Sequence, residues 1–276
     1  YNIDNSGSIV AAGNSNVTTV YFTNNGGILT NTGHIEAWAD GGYATGVELE
    51  WQRGFTNDGT ILAQGSVGAR GVRFDGRYVT DFVNNGTITA VSGDVDNGSV
   101  GVTFTTIQNG HKVTNTGTIE ADISIQFLGN TYYDPTIINS GSLIGDLDLD
   151  NGGIFVIENT GSIEGDILLG DGDDRVDSTS GQIVGAISAG GGDDTIIGSE
   201  SDDIILGGEG LDYLDGGNGD DTLTGGTGRD IFVITGNDVI TDFGTGHDRL
   251  IFSDANFDDL TISSCGDDVI VSDGSG

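Results

Sequence analysis

Aspartates recur at a fixed spacing in the C-terminal part of the chain, each at the end of a glycine-rich turn. From residue 189 to residue 233 the sequence repeats every nine residues, as in GGNGDDTLT (216–224) and GGTGRDIFV (225–233). The five blocks open at Ala189, Gly198, Gly207, Gly216 and Gly225. Carboxylate and carbonyl oxygens are the ligands of Ca²⁺, which takes six to eight of them at about 2.3–2.6 Å. The spacing therefore places oxygen donors at regular intervals, as a series of divalent-cation sites would need.

Each block also carries an apolar residue at its eighth position, which a flexible glycine-aspartate linker would not need. These residues are Ile196, Ile205, Leu214, Leu223 and Phe232. Turn and apolar position together predict a short strand after every turn. Two further blocks keep the pattern outside the contiguous run, LGDGDDRVD (169–177) and FGTGHDRLI (243–251).

In these residues the segment from about 169 to 276 resembles the RTX family, whose hemolysin-type repeats bind calcium in a β-roll. The resemblance implies that two blocks make one turn of the coil, so that each ion lies between a block and the next but one. It also implies that the aspartate at position six and the carbonyls at positions one, two and four are the ligands. The segment DVITDFGTGHDRLIF (238–252) looks like the end of such repeats in proteins of the type I-secreted class.

Carried over to this chain, the pattern predicts two rows of ligands. One side has Asp174, Asp194, Asp212, Asp230 and Asp248, and the other has Asp203, Asp221 and Asp238. The carbonyl ligands are expected from Gly170, Gly172, Gly190, Gly192, Gly207, Gly208, Gly210, Gly216, Gly217, Gly219, Gly225, Gly226 and Gly228. Stacked pairs then hold about four ions on one side and about two on the other, about six in all. Ser199 and Ser201 replace glycines in the block at 198, which makes the Asp203 site the weakest match.

The N-terminal part has a looser repeat with the core Asn-x-Gly-x-Ile. Its copies are NSGSI (5–9), NTGHI (31–35), NDGTI (57–61), NNGTI (84–88), NTGTI (115–119), NSGSL (139–143) and NTGSI (159–163), with TSGQI (179–183) as a degenerate eighth. Three short apolar runs lie in each interval, as expected for one rung of a parallel β-helix. Glycine permits a positive φ in the turn, and asparagine can bond the turn and stack on the next asparagine.

The two repeats share a register, which predicts one uninterrupted all-β solenoid. Its fold is a right-handed parallel β-helix (1–168) that continues into a calcium-binding parallel β-roll (169–251). A C-terminal β-hairpin (252–276) is expected to cap it, and we expect this cap to be truncated. The coil is expected to narrow from about 26 residues per turn to about 20 and then 18, which is two blocks.

Composition restricts the partners. The chain has 43 acidic and 8 basic residues, a formal net charge of −35. This charge repels nucleic acid and anionic membrane surfaces and disfavours both as partners, and no segment is expected to insert into a membrane. Cys265 is the single cysteine, so no internal disulfide forms, and we expect its thiol to have no role. The chain has no methionine and no visible signal peptide, so we expect a fragment or a processed product.

Three functional hypotheses follow from these residues. The first is a bacterial calcium-binding structural or adhesive protein, secreted or at the cell surface, that folds on extracellular Ca²⁺ and has no catalytic activity. The second is a carbohydrate-active β-helix, with polysaccharide binding or lyase-like chemistry on a surface near Arg53–Tyr78. That surface has Arg70, Arg73 and Arg77 among aromatic residues, and Asp75 with His34 or Tyr78 would be its acid–base pair. The third is a fragment that only carries or anchors an enzyme.

Overall fold

The computed structural model describes residues 2–23, 27–50, 54–75, 81–94, 96–105, 111–129, 134–150, 152–244 and 246–252, together with the strands at 261–265 and 268–272. All regular structure in these residues is β-strand, in a sheet of 12 strands and a sheet of 19. No helical segment of the described residues meets the length and apolarity needed to cross a bilayer. The predicted all-β class is confirmed.

The 12-stranded sheet contains the strand that precedes each turn with Asn or its equivalent. Its members, in spatial order, are β1 (Ile3–Asn5), β4 (Ile28–Asn31), β7 (Gly54–Asn57), β10 (Asp81–Asn84), β13 (Lys112–Asn115), β15 (Thr136–Asn139), β17 (Val156–Asn159), β20 (Arg175–Asp177), β23 (Thr195–Ser199), β25 (Tyr213–Gly217), β27 (Ile231–Ile234) and β29 (Arg249–Phe252).

The other sheet contains the strands that follow the turns. The first strand of each rung is β2 (Ser8–Gly13), β5 (His34–Ala39), β8 (Thr60–Gly65), β11 (Thr87–Ser92), β14 (Thr118–Phe127), β16 (Ser142–Asp148), β18 (Ser162–Glu164) or β21 (Gln182–Val184). The second strand is β3 (Val17–Phe22), β6 (Tyr43–Leu49), β9 (Gly68–Phe74), β12 (Ser99–Phe104), β19 (Ile167–Leu168), β22 (Ala186–Gly191), β24 (Ile204–Gly210), β26 (Thr222–Gly228) or β28 (Asp238–Ile240). In β14 and β16 the first and second strands run on as one.

All pairing between rungs is parallel, and its register confirms the predicted coil. Leu29 lies beside Phe55, and Phe55 beside Phe82. Hydrogen bonds between equivalent residues of neighbouring rungs span 26 residues at first, 20 at the 139–159 step and 18 in the roll. The coil therefore narrows as it passes from β-helix to roll without a break.

The main hydrophobic cluster runs along the coil from Leu29 to Ile240, and a smaller cluster of alanines lies beside it in the β-helix. The wide rungs fill it with phenylalanines, and the rings of Phe74, Phe104 and Phe127 stack at centroid separations of 4.7 and 4.6 Å. In the narrow roll the residues at block position eight lie in the core, and each is fully buried: Ile196, Ile205, Leu214, Leu223 and Phe232. Burial of each such side chain stabilises the folded state by about 1.5–3 kcal/mol. Because a rung contacts only its neighbours, this stabilisation acts between adjacent rungs.

An asparagine ladder follows the corner of the β-helix. Each Asn side chain donates through Nδ2 to Oδ1 of the next at 2.7–2.8 Å, from Asn5 through Asn31, Asn57, Asn84, Asn115 and Asn139 to Asn159. Asn159 then donates to Ser178 Oγ at 2.9 Å, where the ladder ends. All the asparagines after Asn5 are buried, and their polar atoms are satisfied within the protein.

A hairpin closes the C-terminal end. β30 (Thr261–Cys265) and β31 (Asp268–Ser272) pair antiparallel, and β31 also pairs antiparallel with β28. The parallel edge of β28 is thereby covered. The predicted cap is present.

Candidate metal centre

The glycine turns of the roll direct their carbonyls into the gaps between successive turns, which we call slots. Eight glycines at block positions two and four have φ between +95° and +152°, a region that side chains disfavour: Gly190, Gly192, Gly208, Gly210, Gly217, Gly219, Gly226 and Gly228. In the slot between the turns at 207–212 and 225–230, the carbonyls of Gly208 and Gly210 occupy the space of a Cβ on Gly226 and Gly228. These oxygens therefore face the turn above.

Glycine is required at block position one for a reason other than its backbone conformation, because Gly207, Gly216 and Gly225 lie outside the positive-φ region. A Cβ at each would collide with the carboxylate six positions into its own block, that of Asp212, Asp221 or Asp230. The Gly225 carbonyl also points down, to 2.7 Å from where a Cβ on Gly207 would lie. Oxygens from positions one, two, four and six thus border the same slot.

Gly170 and Gly172, in the first block, also lie outside the positive-φ region. Their carbonyls nevertheless fill the Cβ space of Gly190 and Gly192 in the turn above, as in the later slots.

The aspartates at position six form two ladders. In the first, Asp174, Asp194, Asp212 and Asp230 each donate their backbone N–H to Oδ1 of the next aspartate at 2.7–3.1 Å, ending at Asp248. In the second, Asp203 donates to Asp221 and Asp221 to Asp238, at 2.9 and 3.1 Å. The members are those that the sequence assigned to the two sides of the roll.

Six of these carboxylates keep a buried oxygen without a hydrogen-bond partner. The atoms are Oδ2 of Asp174, Asp194, Asp212, Asp221 and Asp230, and Oδ1 of Asp203. Each of the six residues is at most 2% exposed. A buried carboxylate oxygen without a partner is costly, and a cation in the slot would remove that cost.

The buried ladders raise the pKa of their members. Desolvation, reinforced by neighbouring carboxylates, raises the pKa of Asp174, Asp212 and Asp221 to about 7 and that of Asp194 to about 6. The pKa of Asp238 rises to about 6 from the same desolvation. A divalent ion beside these carboxylates would act in the opposite direction, because a nearby positive charge favours the ionised form.

Three sites depart from the pattern. Ser199 donates its N–H and its hydroxyl to Asp203 Oδ2 at 2.7 and 3.0 Å, which occupies one oxygen of the weakest predicted site. Asp238 accepts from Thr235 N–H at 3.0 Å, and Asp248 accepts from Gly244 N–H at 2.7 Å, in addition to their ladder bonds. These carboxylates are held by their own turns more firmly than the other five.

Each slot offers few side chains. Within the described residues, no group of three or more His, Cys, Asp or Glu side chains converges on a metal position. A calcium ion here would therefore take most of its oxygens from the turn carbonyls, with one or two carboxylates supplying the charge. The donor set is all oxygen, which suits Ca²⁺ and excludes a thiolate or imidazole metal site.

Sequence reasoning missed a second set of aspartates that hold the turns from outside. Asp193 N–H donates to Asp173 Oδ1 and Leu211 N–H to Asp193 Oδ1, at 2.9 and 2.8 Å. Asp220 N–H donates to Asp202 in the same way. The sequence does contain a pattern that marks this second set, since two aspartates stand side by side at 173–174, 193–194, 202–203 and 220–221.

Asp242 was also missed. Its two oxygens accept the N–H groups of Gly225 and Gly226 at 2.9 and 2.6 Å, which fixes the start of that turn. It lies outside the nine-residue pattern, so no spacing marks it.

The surface proposed for carbohydrate chemistry is held by ion pairs where it is described. Arg73 bonds Glu48 at 3.2 Å, as the register of the rungs predicts, and also Asp75 at 3.0 Å. Asp75 further accepts from Thr105 Oγ1 at 2.7 Å, and His34 bonds Thr60 Oγ1 at 2.7 Å. Arg53, Arg77 and Tyr78 lie outside the described residues. In the described part, Arg73 is therefore held by two carboxylates, and Arg70 lies over the Tyr43 ring, 5.4 Å from its centroid.

Comparison with protein families identifies the roll. A model of four copies of the RTX calcium-binding nonapeptide repeat matches residues 186–214 and 197–232. The predicted resemblance is confirmed over this segment, which consists of RTX repeats and is of the calcium-binding type. Comparisons with curated proteins and with solved structures gave no match.

Proposed function

We propose that this chain is a calcium-dependent structural or adhesive module that completes its fold outside a bacterial cell. The six buried carboxylate oxygens without partners carry the proposal. They stand in two ladders of aspartates, and none of the ion pairs among the described residues includes a ladder aspartate. The roll therefore needs cations in its slots at neutral pH.

The residues proposed as ligands are the position-six aspartates of both ladders and the turn carbonyls at positions one, two and four. About six ions fill the slots, four on the first ladder and two on the second. Sites bounded by Asp203 or Asp238 are weaker, since their carboxylates already accept hydrogen bonds within their own turns.

The dependence on calcium explains where folding occurs. From 166 to 276 the chain has 25 acidic and three basic residues, which repel one another without a counterion. Extracellular calcium-binding modules have Kd values of about 10⁻⁴–10⁻³ M, far above resting cytosolic calcium. The chain thus stays unfolded in its C-terminal part during export by a type I route and folds on reaching calcium.

A calcium titration of the full chain tests the proposal. Circular dichroism of protein first freed of calcium should gain β-signal with a midpoint near 10⁻⁴ M. Equilibrium dialysis against calcium well above that midpoint should show about six bound ions per chain. Magnesium at the same concentration should have little effect, because it demands octahedral geometry and keeps its waters. An unchanged spectrum, or folding at submicromolar calcium, would contradict the proposal.

Localisation has a separate test. In the source bacterium, antibody against the folded roll should detect the protein in the medium or on intact cells. Loss of an inner-membrane type I transporter should retain it inside. Detection of folded protein only in the cytosol contradicts the extracellular part of the proposal and leaves calcium binding to the first test.

A further inference from the structure

The outward face of the first strands is uncharged over two successive rungs of this strongly acidic chain. β8 presents Thr60, Leu62 and Gln64, and the outward positions of β11 are also neutral. The chain has a net charge of −35, so a face without ionisable side chains is a local exception. A ligand that contacts the outward positions of these two strands meets neither basic nor acidic side chains.

At the end of this face stands an exposed tryptophan in a fixed position. Trp38, on β5, is 46% exposed, and its Nε1–H donates to Asp40 Oδ1 at 2.8 Å. The N–H lies in the plane of the indole, so this hydrogen bond is made at the ring edge and not over either ring face. Trp38 also stands on a strand paired on both sides, which limits its motion further.

The tryptophan forms one wall of a groove of ≈ 290 Å³, which we call the Trp38 groove. It is lined by Trp38, Ala39, Asp40, Gln64, Gly65, Ser66, Val91, Ser92 and Gly93. Trp38 lies beside Gln64, and Gln64 beside Val91, so the two apolar walls stand two strands apart, about 9.5 Å between backbones. The amide of Gln64 lies between them.

The polar groups of the groove are suited to hydroxyl groups. The Gln64 amide donates and accepts, the exposed Ser66 hydroxyl does both, and Asp40 accepts. Ser92, by contrast, is already bonded to Asp94, so it closes the groove and offers little to a ligand. A few polar groups around an aromatic wall are the usual composition of a small-ligand site.

We infer that the Trp38 groove binds a neutral saccharide, whose apolar ring face stacks on Trp38 while its hydroxyls bond Gln64, Ser66 and Asp40. An anionic sugar is disfavoured by Asp40 and by the net charge. A cationic group over the indole face would lie away from Asp40, which is at the ring edge. The site is independent of the calcium slots and goes beyond the function proposed above.

A glycan array tests this inference with the full chain in calcium. The probe is a panel of immobilised neutral glycans, alongside uronic acid polymers and sulfated glycans. We expect binding to at least one neutral glycan class, with a loss of about tenfold or more in Trp38→Ala, since that change removes the stacking wall. Gln64→Ala should weaken binding less, and Trp38→Phe should be intermediate.

Tyr21→Ala is the matched control, because Tyr21 is also exposed, at 55%, and lies outside the groove. It should bind as the unmodified chain does, and both variants should keep the unmodified melting temperature. The inference is overturned if no neutral glycan binds, if only anionic glycans bind, or if Trp38→Ala binds as well as Tyr21→Ala.

Discussion

Asp220 and Asp221 are neighbours in one turn of the roll and lie in opposite environments. Asp221 is fully buried, and its Oδ2 has no partner, whereas Asp220 is exposed and engages the turn below only through its backbone. Both side chains are carboxylates. The difference between the stability changes caused by replacing each of them therefore measures the contribution of burial in the slot.

Replacement of Asp221 by Asn should change stability in opposite directions with and without calcium. In calcium at a hundredfold excess over Kd, each of the sites beside Asp221 that is lost costs about 2.7 kcal/mol. Without calcium the variant should be more stable than the unmodified chain, because the amide removes a buried charge and its oxygen still accepts Asp203 N–H. Urea unfolding in calcium and in EDTA measures both effects.

Asp220→Asn is the control for that experiment and should shift neither curve by more than about 0.5 kcal/mol, as expected for a surface change. Equal effects of the two variants would mean that the buried ladder does not hold the ion.

Gly190 and Gly191 give a second contrast at the level of single residues. Gly190 has φ of +100°, and the Gly170 carbonyl fills the space of its Cβ. Gly191 has an ordinary φ, and its Cβ would meet its nearest neighbour at 3.5 Å. Gly190→Ala should therefore cost about 1–3 kcal/mol or more and weaken calcium binding, whereas Gly191→Ala should be neutral or stabilise by about 0.4–1 kcal/mol. Thermal melts with calcium titrations distinguish them; a neutral Gly190→Ala would show that the turn does not need its positive φ.

The buried ladder aspartates make the stability of the calcium-free roll depend on pH. Burial raises the pKa of Asp174, Asp212 and Asp221 to about 7, above the value near 3.9 of an unfolded chain. A raised pKa in the folded state gives stability that is complete below the unfolded value and is lost as the pH rises through the folded value. The calcium-free roll should therefore be most stable near pH 4 and lose stability between about pH 4 and pH 7.

Hydrogen exchange of the strands at 195–234, in buffer freed of calcium by a chelating resin, measures this dependence. His111 in the β-helix acts in the opposite direction, since burial lowers its pKa to about 4, so the signal must come from the roll alone. With calcium the dependence reverses, because protons compete with the ion for the aspartates. A calcium-free roll that gains stability from pH 5 to pH 8 would contradict the raised pKa values.

The elements were predictable from sequence wherever a repeat specified both spacing and chemistry. Asn-x-Gly fixed the rungs from Asn5 to Asn159, and the nine-residue block fixed the partner of each ladder aspartate, because a stacked coil places equivalent positions side by side. The hydrogen bond from the Ser199 hydroxyl to Asp203 and the bonds from Gly225 and Gly226 to Asp242 were not predictable, since each arrangement occurs once. The Trp38 groove was not predicted either. The core does not restrict the type of an outward-facing residue, so such a residue does not recur at the spacing of the repeats.

Over the whole molecule, the two kinds of ladder divide one continuous coil into parts with different requirements. The asparagine ladder is neutral and satisfied by its own hydrogen bonds, and it ends where Asn159 bonds Ser178. The aspartate ladder begins beside it, where Phe155 N–H donates to Asp174, and it is satisfied only with cations. In a solenoid each rung contacts only its neighbours, so one part can unfold without the other.

Removal of calcium should therefore unfold the roll and leave the β-helix folded. In EDTA at pH 7.5, hydrogen exchange should show the amides of β4–β17 protected and those of β23–β29 exchanged, with the boundary within two rungs of residues 159–178. Added calcium should restore protection from the β-helix side, because the last folded rung is the template on which the next one stacks. Asn115→Ala gives the complementary control: it should weaken protection in the β-helix in either condition, since it breaks the neutral ladder by about 1–3 kcal/mol without touching a slot. Uniform exchange of all rungs in EDTA would show that the coil unfolds as one unit and that the two ladders do not divide it.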